Sequence, residues 1–151
     1  MRTRGFTLVE ILIVVVILGI LAAIVIPQFT DASTEAKSSS LMSDLQTMRS
    51  QIQLYKIQHN DKWPGIADGT HTAGAGFAAS LTAETTIAGE LGAGYGPYVQ
   101  QIPTNGFNGF DTILEAGATP GAADNTTGWF YNNVTGDFRA NSTYDANHWS
   151  L

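Results

Sequence analysis

Gly5-Phe6-Thr7-Leu8-Val9-Glu10 opens a stretch that runs on through the aliphatic residues Ile11 to Ile26 and stops at Pro27. As a helix, Phe6 to Ile26 is about 30 Å long, the thickness of a bilayer's hydrocarbon core. Two features set this stretch apart from plain hydrophobic filler. Arg2 and Arg4 precede it, and Glu10 is the single charged residue inside it. A carboxylate at the centre of a membrane helix costs about 2.5 to 3.5 kcal/mol on insertion scales, so a Glu within such a run marks a functional contact or one that snorkels to the headgroups. A cut after Gly5 would give Phe6 a new α-amino group, cationic at neutral pH. Glu10 would then stand one helical turn from that charge.

Gly5-Phe6-Thr7-Leu8-Val9-Glu10, with the aliphatic run ending in Ala22-Ala23-Ile24-Val25-Ile26-Pro27, resembles the N-terminus of type IV pilins and of the pseudopilins of type II secretion systems. The resemblance covers about 25 consecutive residues and includes the polar exceptions. It implies cleavage after Gly5 by a membrane prepilin peptidase, N-methylation of Phe6, and pairing of Glu10 with the terminal amine of a neighbouring subunit. It also implies that Gly19 and Pro27 are where the helix gives way during assembly. A secretory signal would instead place its cleavage site beyond the apolar region, after small residues such as Ala22-Ala23.

The length suits one small domain plus an appended helix. The net charge is −6, and loss of Arg2 and Arg4 with a Met1–Gly5 leader takes it to −8. Such a chain has no electrostatic footprint for nucleic acid. The basic leader orients the helix with its N-terminus in the cytoplasm and the remainder in the periplasm. There is no cysteine, so no disulfide closes the C-terminal region, and within the resemblance this favours the pseudopilin branch.

Beyond Pro27, which should kink the helix, the pattern turns amphipathic. Leu41, Leu45, Met48, Ile52 and Tyr55 recur at spacings of four and three, one face of a helix awaiting a domain. Lys37, Asp44, Arg49 and Lys56 belong to its other faces. A continuous helix from Phe6 to Gln58 would measure on the order of 80 Å. His59 to Gly65 is a stop signal, with Pro64 restricting the residue before it. Gly65 to Pro97 reads as surface loop with a short helix near Phe77 to Leu81. Pro97 to Gly109 is similar to a turn segment of major pseudopilins, except that Gly106 stands where a proline is common. Gly128 to Val134 and Asp137 to Asn141 flank Thr135-Gly136 as a β-hairpin, with Thr112 to Leu114 as a further strand.

The expected fold is therefore α+β and pilin-like: a long N-terminal helix, half membrane-spanning and half amphipathic, packed by a small antiparallel sheet. Its parts are a leader (1–5), an assembly helix (6–27), an amphipathic half (28–60) and a loop-rich region with a C-terminal hairpin (61–151). His59, His71 and His148 have no metal-ligand spacing and read as loop or surface groups, and no nucleophile motif is present. Resemblance to calcium-binding pseudopilins makes Asp124, Asp137, Asn141 and Asp145 the nearest candidates for a Ca²⁺ site. No other cofactor is implied.

The function implied is that of a non-enzymatic filament subunit of a type II secretion system. It would assemble with copies of itself and minor pseudopilins on an inner-membrane platform into a periplasmic pseudopilus. The alternatives are a type IV pilin serving adhesion, motility or DNA uptake, and a periplasmic binding domain on an uncleaved membrane anchor.

Overall fold

The computed structural model describes residues 5–65, 76–118, 121–144 and 146–150. Its elements in chain order are α1 (Leu8–Gln58), α2 (Phe77–Thr82), β1 (Ile113–Ala116), β2 (Trp129–Asn132), β3 (Phe138–Ala140) and α3 (Ala146–Ser150). The chain divides into two compact units between Lys37 and Ser38, inside α1.

The first unit is helix alone. Position 27 does not interrupt it, because a helix that loses one N–H at proline keeps the bonds on either side. The hydroxyls of Thr30 and Thr34 donate to the carbonyls of Ile26 (3.1 Å) and Thr30 (3.0 Å).

The second unit is built on the last five turns of α1. Leu41, Leu45, Met48, Ile52 and Tyr55 are buried together with Phe77 and Leu81 of α2, Trp129 and Tyr131 of β2, and Phe138 and Ala140 of β3. Ser38-Ser39-Ser40 are middling helix formers, at a few tenths of a kcal/mol each. Burying each large apolar side chain of the stripe is worth about 1.5 to 3 kcal/mol, so packing decides the helix here. The helix stops as the His59–Gly65 signal predicts. Asn60 and Asp61 take left-handed φ values of 53° and 61°, and Asp61 N–H closes on the Lys56 carbonyl at 3.0 Å.

The sheet has the order β1-β2-β3 and is mixed, which corrects the expected antiparallel arrangement. β2 and β3 are antiparallel, with Phe130 opposite Arg139. β1 runs parallel to β2, with Leu114 opposite Phe130. The cause lies in residues 117–128: a connection of that length carries the chain back before β2 begins, which a tight hairpin cannot do. Asn105 and Asn108 secure the return, their Nδ2 groups donating to the carbonyls of Gly128 and Thr127, each at 2.9 Å. The β2–β3 turn is also wider than two residues. Asn132 Oδ1 accepts the N–H groups of Val134 (2.9 Å) and Thr135 (3.0 Å), and Gly136 supplies a φ of +75°.

Candidate functional site

Thr7 and Glu10 start the helix as a reciprocal cap. The N–H and the hydroxyl of Thr7 both donate to Glu10 Oε2 at 2.8 Å, and Glu10 N–H donates back to Thr7 Oγ1 at 3.3 Å. This is the Thr-x-x-Glu capping box, which satisfies donors that a helix N-terminus leaves unpaired. Its signal was present in the sequence as Thr7-Leu8-Val9-Glu10, hidden by a reading of the run as membrane hydrophobicity. The cap leaves Glu10 Oε1 without a partner among the described residues, and the carboxylate lies at the surface of the helix.

Around this head every large apolar side chain from Phe6 to Ile26 is at least half exposed, Leu8 (82%) and Phe6 (80%) the most. α1 is long and apolar enough to cross a membrane by length and composition. An apolar helical surface of this extent has no place in water and requires lipid or other helices. Gly5 precedes the cap, and Gly19 has open space around its Cα. Arg2 and Arg4 lie outside the described residues.

Of the four residues considered for calcium, the structure brings Asp124 and Asn141 together and leaves Asp137 apart from them. Asp124 Oδ1 accepts Asn141 Nδ2 (2.7 Å) and both the N–H (3.0 Å) and the hydroxyl (2.7 Å) of Thr126. Asn141 Oδ1 is taken by Asp124 N–H at 3.0 Å. Asp137 lies at the far end of β3 from Asn141 and is ion-paired with Arg139. Asp145 falls outside the described residues. Calcium wants six to eight oxygens, and Asp124 Oδ1 and Asn141 Oδ1 are already engaged with each other's residue and with Thr126. Among the described residues no group of three or more His, Cys, Asp or Glu side chains could hold a metal ion.

The histidines differ from expectation. His59 and His148 are buried, while His71 lies outside the described residues. His59 falls one turn after Tyr55 on the same stripe and stacks on its ring at 3.7 Å. Its Nδ1 donates to the Tyr55 carbonyl at 2.8 Å, which leaves Nε2 to accept from the Thr85 hydroxyl at 3.0 Å. His148 Nδ1 and Ser142 Oγ are 3.2 Å apart, but both side chains are shut off from solvent, so the pair offers no nucleophile to a substrate. Arg49 likewise does not face water only. Its Nε and Nη2 donate to the Phe138 carbonyl at 3.0 and 2.8 Å.

The site is thus a capped apolar helix of membrane-spanning length with one carboxylate near its start, whose later turns belong to a small α+β domain. The family model described as "Prokaryotic N-terminal methylation motif" matches residues 1–26. The chain is 40% identical over 68 residues to the "Type II secretion system core protein G" of Dickeya chrysanthemi, a match covering 45% of this chain and 44% of that protein. It is 28% identical over 143 residues to the protein of the same name from Escherichia coli (strain K12), covering 85% and 92%. It is 37% identical over 92 residues to the "Type IV major fimbrial protein FimA" of Dichelobacter nodosus, covering 56% and 59%. The chain thus spans less than half of the Dickeya relative and most of the Escherichia one. No solved structure gives a significant match. The chain is thus similar to type II secretion core proteins G and to a type IV fimbrial protein, with the methylation motif confined to its first 26 residues.

Proposed function

We propose that this protein is a pseudopilin, a structural and non-catalytic filament subunit of a type II secretion system. The observation that carries the reading is the exposed apolar helix whose one carboxylate, Glu10, is held at the first turn with an oxygen to spare. Before assembly the Phe6 to Ile26 segment sits in the inner membrane with the remainder in the periplasm. Prepilin peptidase cuts after Gly5 and methylates Phe6, and the product amine stays cationic. On assembly the helices leave lipid and pack on copies of themselves and on minor pseudopilins, in contact with an inner-membrane platform. A carboxylate in such a dry bundle demands a partner. The Phe6 amine of the adjacent subunit meets that demand and sets the register, while Gly19 and Pro27 let the helix yield during extraction. The relatives named as secretion core protein G support the secretion assignment.

The intact mass and N-terminal sequence of the membrane-extracted protein test this. A chain beginning at Phe6 and one methyl heavier is expected. A chain still beginning at Met1 in cells that contain the peptidase would reduce the segment to a plain anchor. The match to a fimbrial protein favours a second reading, a surface pilus. Fibres outside the cell at native expression would select it.

A further inference from the structure

The two edges of the sheet are finished differently. On β3, Asn132 N–H donates to the Asp137 carbonyl and Asn141 N–H to the Gly128 carbonyl. This alternation turns the backbone N–H and C=O of Phe138 away from β2, and the Arg49 fork covers that carbonyl. On β1, Trp129 N–H donates to the Thr112 carbonyl and Asn133 N–H to the Ala116 carbonyl. In a parallel pair this places Thr112, Leu114 and Ala116 against β2, so the N–H and C=O of Ile113 and Glu115 point away from it. Among the described residues nothing pairs with these four groups.

Beside them lies an open cleft of about 720 Å³, walled by Thr82 of α2 and by Gln101 and Thr104. Among the described residues its lining includes Asp111 and Glu115 and no Lys, Arg or His. An unpaired strand edge is a template for another strand, and the two carboxylates state which charge that strand should carry.

We propose that the β1 edge receives an extended, Lys- or Arg-bearing segment of a different protein as a fourth strand. The segment's backbone pairs with Ile113 and Glu115, and its cationic side chains meet Asp111 and Glu115. A second copy of this chain, with net charge −6, is the electrostatically disfavoured occupant.

The test uses the full chain in detergent micelles and two labelled eight-residue peptides, one alternating Val with Lys and the other alternating Val with Glu. The lysine peptide should bind, weaken as salt rises, and lose about tenfold in affinity to Ile113→Pro, which deletes an outward N–H without touching the β1–β2 ladder. Should Ile113→Pro disturb folding, the exposed Asp111→Lys should weaken the lysine peptide and admit the glutamate peptide. Amide exchange gives a mutation-free readout. Ile113 and Glu115 should exchange quickly in the free chain and slow on peptide binding, with Leu114 slow throughout. Equal binding of the two peptides, no effect of Asp111→Lys, or slow exchange at Ile113 and Glu115 without peptide would overturn the proposal.

Discussion

The Glu10 carboxylate and Thr7 form a closed pair in which one carboxylate oxygen accepts both the N–H and the hydroxyl of Thr7 at 2.8 Å. Half of the carboxylate thus belongs to the helix itself and half is available to a neighbour. The two roles separate by mutation. Glu10→Ala should leave membrane insertion intact and abolish filaments, whereas Thr7→Val should loosen the first turn yet still assemble, because the acceptor for the incoming amine survives. Alkaline extraction of membranes and electron microscopy of sheared filaments read the two properties. Normal filaments from Glu10→Ala would refute the registry role.

Arg49 joins the helix face to the sheet edge through two donors on one carbonyl. The Phe138 residue that supplies this carbonyl is fully buried, so removing the fork strands an acceptor. Arg49→Ala should destabilise the domain by about 1.5 to 3 kcal/mol, and Arg49→Lys, with one compact donor group, by less. For a chain of this size that corresponds to a melting temperature several degrees lower, at roughly 2 to 4 °C per kcal/mol. Thermal unfolding followed by tryptophan fluorescence measures it, and an unchanged midpoint for Arg49→Ala would show the contact to be idle.

Two carboxyls bend stability with pH in opposite senses. Asp124 is held below the usual carboxylate range by the Thr126 N–H first, then by the Thr126 hydroxyl and the Asn141 amide. Its contribution is present above the ordinary Asp value of about 3.9 and is lost as pH falls through its lower folded value. Glu115 is pushed up by burial, against the pull of the Phe77 N–H. Its contribution is complete below the ordinary Glu value of about 4.3 and declines as pH rises through its raised folded value. Asp124→Asn should therefore lower the melting point at neutral pH while converging on the parent in acid. Glu115→Gln, which keeps an acceptor for Phe77, should match the parent in acid and exceed it at neutral pH. Melting curves across this range check both, and parallel curves for all three proteins would contradict the assignments.

What could be read from the chain alone follows the range of each interaction. The Leu41 to Tyr55 stripe was legible because a helix writes its buried face into adjacent turns, and the Trp129 and Phe138 arms because a hairpin is local. The parallel pairing of β1 was not, since no short-range pattern distinguishes a strand that returns after twelve residues from one that turns at once. For Arg49 only its place on another face of the helix was legible, because its acceptor is 89 positions away. The burial of His59 follows the same helical period as the Leu41 to Tyr55 stripe, since it falls four residues beyond Tyr55. Of the candidate site, the apolar run and Glu10 were plain in sequence, while the engagement of one Glu10 oxygen by Thr7 required the cap geometry.

Gly128 and Gly136 mark close approaches of two different kinds. A Cβ on Gly136 would enter the ring of Trp63, at a residue whose φ is already +75°. Gly136→Ala should cost roughly 2 to 4 kcal/mol, combining left-handed strain with overpacking. In a Trp63→Ala background the overlap disappears and only the strain, about 1 to 2 kcal/mol, should remain. A Cβ on Gly128 would instead meet the Phe110 carbonyl. Backbone cannot swing aside as a ring can, and Gly128 also feeds its own carbonyl to Asn105 and Asn141 at the start of β2. Gly128→Ala should accordingly be the more damaging substitution and find no relief in any side-chain truncation nearby. Unfolding curves of the two alanine variants, each with and without Trp63→Ala, separate the cases. Equal rescue of both by Trp63→Ala would mean that the Phe110 contact yields, and that the return from β1 to β2 is not anchored at Gly128.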